Sequence, residues 1–183
     1  MAHLWSRVSG WFFSIGAAFV LSLLISTFII QPTKVLGHSM EPTLRDHSRI
    51  LIAKWPRSLG ESPRYGDIVI IDSRIDRKRT LRDDLLDYPL FQWLGGSGGK
   101  DVFWVKRVVG KAGDVLEIRN NQVYRNGKAL NEPYLKEQMR TYANQIIKVP
   151  PGCIYVLGDN RNHSRDSRYI GAIPLGHVIG RKL

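Results

Sequence analysis

From Trp11 to Ile30 the chain carries no charge across twenty residues, and only Ser14, Ser22, Ser26 and Thr27 in that run are polar. A helix of about 20 residues spans the hydrocarbon core of a bilayer. A cleavable targeting segment would have a shorter apolar core followed by a small-x-small site. Here the run ends in Phe28-Ile29-Ile30-Gln31-Pro32 with no such site. The pattern predicts a retained transmembrane anchor over residues 11–30, after a short tail at 1–10. Trp5 and Trp11 suit its interfacial ends, and Pro32 is expected to end the helix. Arg7 and the amino terminus precede the run, and Lys34, Arg45 and Arg49 follow it. That count alone favours leaving the downstream part in the cytoplasm, but long domains translocate largely regardless of charge.

Beyond Pro32 the sequence changes character. Short β-branched and aromatic runs are bounded by Gly, Pro, Asn and Asp. They predict strands at Arg49–Lys54, Asp67–Asp72, Val102–Val109, Val115–Arg119, Gln122–Arg125, Gln145–Val149, Ile154–Leu157 and His177–Arg181. Asn120-Asn121 and Asn126-Gly127 are hairpin signals, because Asn and Gly tolerate positive φ. The fold class that follows is mainly β, an all-β domain over 31–183 on one N-terminal transmembrane helix. Residues 74–100 fit this pattern poorly and read as an insertion, beginning basic and ending in the glycine-rich run Gly95–Gly99. That run lacks the Lys and Ser/Thr of a phosphate-binding loop. The apolar tip from Tyr88 to Leu94 suits contact with lipid as well as packing.

A net charge of +11 points to an anionic partner, nucleic acid or an anionic membrane surface. No helix-turn-helix, zinc-finger or aromatic RNA-binding pattern accompanies the charge, so no nucleic acid is expected. The single Cys153 excludes an internal disulfide and a cysteine-based zinc site. It lies in an apolar run and is expected to be a buried, inert thiol.

The stretch Gly37-His38-Ser39-Met40-Glu41-Pro42-Thr43-Leu44 follows the apolar run after a short gap. Most serines beside Gly and Pro are turn residues. As a nucleophile, Ser39 would need a base within hydrogen-bond reach. One candidate is Lys106, which interrupts the strand-like run Val102–Val109. Burial disfavours the charged ammonium, and a lysine made neutral near pH 7–8 can serve as general base. The other is His163, near Asp159 and Asp166, in a Ser-His-Asp arrangement. His38 should face away from its neighbour Ser39. Spacing alone does not separate Lys106 from His163.

Four blocks resemble those of the bacterial type I signal peptidases, membrane-bound serine proteases. They are Gly37–Leu44, Tyr65-Gly66-Asp67-Ile68-Val69, Lys106–Asp114 and Gly158–Arg168, in the family's order. The resemblance implies that Ser39 is the nucleophile, Lys106 the general base, and Ser164 the hydroxyl that orients the lysine amine. It implies a structural ion pair for Asp166 and Arg168 and structural roles for Asp159 and Arg161. Val35, Met40 and Val105 fall where the family lines shallow apolar pockets for small side chains before the scissile bond. The oxyanion donor it implies is the Ser39 backbone N–H. Two positions before the nucleophile some members place a serine that helps form the oxyanion hole. This chain has Gly37 there, as in the short, single-anchor branch.

The function implied is removal of signal (leader) peptides from secreted preproteins by a Ser-Lys dyad, with no cofactor and no metal. The partners implied are signal peptides and the lipid bilayer. The location implied is the cell membrane, single-pass, with the N-terminus cytoplasmic and the catalytic domain extracytoplasmic. An alternative from the charge is a non-catalytic, membrane-anchored β-domain that binds anionic lipid or polymer. A third, a self-cleaving regulator with a Ser-Lys pair, would carry a DNA-binding module where this chain has an apolar span.

Overall fold

The computed structural model describes residues 10–22, 29–54, 62–80, 83, 103–140 and 144–183. Trp5, the apolar tip Tyr88–Leu94 and the glycine run Gly95–Gly99 lie outside them.

Residues 10–22 form a helix. Its side chains are exposed and apolar on all sides, with Trp11 at 75%, Phe13 at 79% and Phe19 at 60% exposure. Ser14 is satisfied within the helix, its hydroxyl donating to the Gly10 carbonyl at 2.9 Å. Among the described residues, no helix is long and apolar enough to cross a membrane. The end of the apolar run differs from expectation. Ile30 is the first residue of strand β1 (Ile30–Lys34), so Pro32 sits inside a strand instead of ending a helix. The reason is that β1 is an edge, where a missing N–H can face away from the ladder.

The remaining strands are β2 (Arg49–Lys54), β3 (Ile68–Asp72), β4 (Phe103–Lys111), β5 (Val115–Arg119), β6 (Gln122–Arg125), β7 (Lys128–Ala129), β8 (Gln145–Lys148), β9 (Cys153–Leu157), β10 (Ile173–Pro174) and β11 (Val178–Lys182). They make a seven-stranded sheet in the order β1-β2-β11-β3-β4-β9-β10 and a four-stranded sheet in the order β7-β6-β5-β8. The two hairpin signals hold. Asn120 and Asn121 turn β5 into β6 with φ of 51° and 61°, and Asn126 and Gly127 turn β6 into β7 at 52° and 78°. His177 belongs to a short 3-10 turn before β11, not to the strand itself.

β4 is the longest strand and lies between β3 and β9. The β4–β9 register shifts between Val108 and Gly110, where Leu116 packs close to the Gly110 backbone. Three apolar clusters flank this strand. Val108 and Trp104 join Val69, Ile71, Val156 and Ile173 in one cluster. Phe103 and Val105 pack with Val35, Met40 and Ile70 in a second. Val109 joins Leu116, Val123 and Tyr155 in the third, against which Cys153 packs half-buried. The core therefore closes around β4 from both faces. At about 25 cal/mol per Å² of apolar area removed from water, this burial is the main force holding the sheets together.

The start of the 74–100 excursion is tied to the sheet. Buried Asp72 at the end of β3 accepts from Arg74 Nη2 at 2.6 Å and Arg79 Nη1 at 2.7 Å. Arg79 is itself buried, with its guanidinium 5.5 Å from the Phe103 ring centroid.

Candidate active site

The loop between β1 and β2 carries Ser39. Its neck is closed by two backbone bonds, Val35 N–H to the Ser48 carbonyl at 2.8 Å and His47 N–H to the Val35 carbonyl at 3.0 Å. Asp46 tightens it from within, its Oδ1 accepting from the N–H of Gly37 and of His47, both at 2.8 Å. Met40 and Leu44 drive the loop into the core, with exposures of 1% and 6%. The far wall is the segment after β9. Asn160 N–H donates to the Ser39 carbonyl at 3.0 Å, and the Asn160 side-chain amide donates to the His38 carbonyl at 3.1 Å. Ser39 is thus held from both sides by backbone.

Lys106 Nζ lies 2.7 Å from Ser39 Oγ. Because β4 is a central strand, Lys106 is only 3% exposed. Burial is the dominant influence on its amine and lowers the pKa to about 8; Asp166 pulls it up, Arg168 down, and Asp159 up. The ring of Trp104 flanks the amine at 5.8 Å. His163, the other candidate base, is exposed on the turn Arg161–His163. His38 is exposed too and hydrogen-bonds Glu41 through Nδ1 at 2.6 Å, which raises its pKa. Lys106, not a histidine, is the group beside the serine.

Ser164 is 9% exposed, and its hydroxyl is buried with no hydrogen-bond partner. The expected bond from Ser164 to the lysine amine is not formed. Its Oγ instead stands against the Gly158 backbone, in the space where a side chain on residue 158 would project. Asp166 and Arg168 form the expected ion pair, with Nε to Oδ1 and Nη2 to Oδ2 each at 2.8 Å. Asp166 also accepts from the Gly158 N–H at 3.0 Å and caps the short helix Ser167–Ile170.

Asp159 and Arg161 do not pair with one another. Asp159 is fully buried and takes a two-pronged contact from Arg107, Nε to Oδ1 at 2.8 Å and Nη2 to Oδ2 at 2.6 Å, plus the Thr43 hydroxyl at 2.5 Å. The Arg107 guanidinium stacks 3.9 Å from the Tyr134 ring centroid. Arg161 pairs with Glu132, Nη1 to Oε2 at 2.9 Å and Nη2 to Oε1 at 2.5 Å, and donates Nε to the Gly158 carbonyl at 3.1 Å. Thr43, Arg107, Tyr134 and Glu132 were not assigned roles from the sequence. The signal for Arg107 was present, as a permanently charged residue within an apolar strand. Glu132 carried none, since it lies in an irregular segment far along the chain.

Val35, Met40 and Val105 belong to one apolar cluster, Val35 and Met40 almost wholly buried and Val105 half-buried. Gly37 has a φ of 91°, where a serine would be strained, and its N–H is committed to Asp46. Among the described residues no cluster of His, Cys, Asp or Glu is arranged to hold a metal.

A buried amine near neutrality against a serine hydroxyl can abstract a proton and support acyl transfer. The family model for signal peptidase, peptidase S26, matches residues 8–183. A signal peptidase I of Bacillus licheniformis is 38% identical over 181 residues, covering 93% of this chain and 83% of that protein. Signal peptidase I S of Bacillus subtilis is 34% identical, covering 86% of this chain and 77% of its own length. A crystal structure of a signal peptidase I from Enterococcus faecalis is 27% identical, with a TM-score of 0.47, covering 66% of this chain and 97% of that one. The chain belongs to the signal peptidase family, peptidase S26.

Proposed function

We propose that this protein is a membrane-anchored serine endopeptidase that removes signal peptides from secreted preproteins with a Ser39–Lys106 dyad. The observation that carries the reading is the 2.7 Å approach of Lys106 Nζ to Ser39 Oγ, made by a lysine that is 3% exposed. With a pKa of about 8, a usable fraction of Lys106 is neutral at physiological pH. The neutral amine takes the proton from Ser39 Oγ as that oxygen attacks the scissile carbonyl. The Ser39 N–H donates to the developing oxyanion. Lysine then returns the proton to the departing amine, leaving the leader segment esterified to Ser39. Water deprotonated by Lys106 attacks the ester carbonyl and frees the leader.

Val35, Met40 and Val105 line the apolar recess for small side chains before the bond. Such a recess rejects large side chains by overpacking and polar ones by desolvation. Ser164, whose buried hydroxyl has no partner in the structure, is the residue that would orient the lysine amine during the reaction.

The anchor is residues 11–30 shortened at its end, since Ile30 starts β1. It is supported by the uncharged run in the sequence and by the all-round apolar, exposed surface of residues 10–22, which suits lipid as its partner. Such an anchor holds the site at the height where a membrane-inserted leader presents its cleavage point. The N-terminus is then cytoplasmic and the catalytic domain extracytoplasmic.

The test is cleavage of a membrane-inserted preprotein by wild type, Ser39→Ala and Lys106→Met. Both variants should be inactive, and full activity in Lys106→Met would overturn the dyad. Protease added to intact cells should digest the catalytic domain, and protection would place that domain inside.

A further inference from the structure

Beside the β5–β6 hairpin tip lies a cleft of about 390 Å³ whose other wall is the segment 130–138. Five side chains around it are carboxamides, Asn120, Asn121, Gln122, Asn131 and Gln138, and all five are exposed. Each carries an acceptor oxygen and two N–H donors, the complement of a peptide group, which offers one donor and one acceptor. On a chain of net charge +11, no lysine or arginine among the described residues lines this cleft. The carboxylate among its described lining residues, Glu132, has both oxygens committed, to Arg161 and to the Tyr134 hydroxyl. Leu130 and Leu135 supply an apolar wall. The cleft is therefore built to read uncharged polar groups.

Its wall also touches the nucleophile loop. Lys136, next to Leu135, donates to Glu41 Oε2 at 2.6 Å, two positions beyond Ser39. The Gln138 carbonyl accepts from the Asn162 side-chain amide at 3.0 Å, and Asn162 Oδ1 accepts from the Arg140 N–H at 2.7 Å. Those bonds strap the segment to the turn that follows Asn160. Asn131 and Lys136 are separated by no more than about 18 Å of chain, which ties the cleft to the loop that carries Ser39.

We propose that this cleft binds the extended, uncharged polar stretch of the preprotein that follows the scissile bond. The inference rests on the protease reading above. The apolar recess of Val35, Met40 and Val105 suits the leader side, and a carboxamide-lined cleft suits the side that emerges into water. Main-chain amides of that stretch would pair with the carboxamides whatever its side chains, which gives grip without sequence selection.

Two measurements test this. First, preproteins sharing one leader are given a long or a truncated mature segment, and kcat/KM is measured for wild type and for Asn131→Ala/Gln138→Ala. Wild type should favour the long substrate. The double variant should lose about tenfold on it, chiefly in KM, as expected for loss of one or two neutral hydrogen bonds. Where wild type cleaves both substrates, equal rates on them, or an unchanged double variant, would overturn the proposal. Second, a fluorescent Ser/Asn/Gly/Thr peptide without a leader is titrated against the full-length Ser39→Ala protein. It should bind, and bind more weakly when Asn131 and Gln138 are alanine. Absence of binding, or binding of a neutral polysaccharide in its place, would overturn the cleft assignment. If wild type cleaves neither preprotein while the peptide still binds, the protease reading fails and the cleft as a peptide site stands.

Discussion

Gly158 passes so close to Ser39 that a Cβ at position 158 would lie 2.6 Å from the Ser39 carbonyl oxygen. The same oxygen accepts the Asn160 N–H at 3.0 Å, so the backbone after β9 forms the floor on which Ser39 rests. Both groups that crowd Gly158, the Ser39 backbone and Ser164, belong to the site.

Gly158→Ala should therefore displace Ser39 from Lys106. We expect activity to fall at least hundredfold and stability to drop by about 1–3 kcal/mol, the range for overpacking a buried position. Preprotein cleavage and urea unfolding of the same variant measure the two effects.

The rate of cleavage should rise with pH through a midpoint near 8, the pKa to which burial lowers Lys106. The neutral amine is the active form, so the basic side of the transition is the fast one. The profile should be unmoved in His163→Ala, because His163 is exposed on its turn. Single-turnover rates across pH 6–9 for both proteins check this, and a midpoint near 6.5 that vanishes in the variant would contradict it.

Lys106→Met should be inactive yet more stable than wild type. In the unfolded chain the lysine has its ordinary pKa of 10.5, and in the folded protein about 8. Below pH 8 both states are protonated and the buried charge costs about 3 kcal/mol at most. Between pH 8 and 10.5 the unfolded state holds the extra proton, so wild-type stability rises with pH. The advantage of the methionine variant should accordingly shrink as pH climbs towards 10.5, as thermal melts at pH 7 and 10 would report.

Glu132→Ala should destabilise the protein by about 3–5 kcal/mol, because it strands Arg161, whose side chain is 1% exposed. Adding Arg161→Met should recover much of that loss, since a pair of neutral residues leaves no uncompensated charge. Chemical denaturation of the single and double variants gives the comparison.

Much of the β-domain was legible locally. β2, β5 and β6 follow from short β-branched runs and from the Asn-Asn and Asn-Gly turns, which encode their conformation in two residues. β1 was not, because Ile30 continues the apolar run and Pro32 argues against a strand until its edge position is known. The ion pairs at the site were only half legible. Asp166 and Arg168 are two residues apart, whereas Arg107 finds Asp159 across 52 positions and Arg161 finds Glu132 across 29.

Residue types and order alone determined that Ser39 and Lys106 were fit to be nucleophile and base, and that an apolar run precedes them. Spacing left Lys106 and His163 as rivals, and only the family resemblance favoured Lys106, because a lysine becomes a base only by losing water, and burial is a property of the assembled sheet. The fold favours Lys106 as the base of the proposed dyad. It set β4 between β3 and β9, brought Lys106 to 2.7 Å from a serine 67 positions away, and left His163 in solvent.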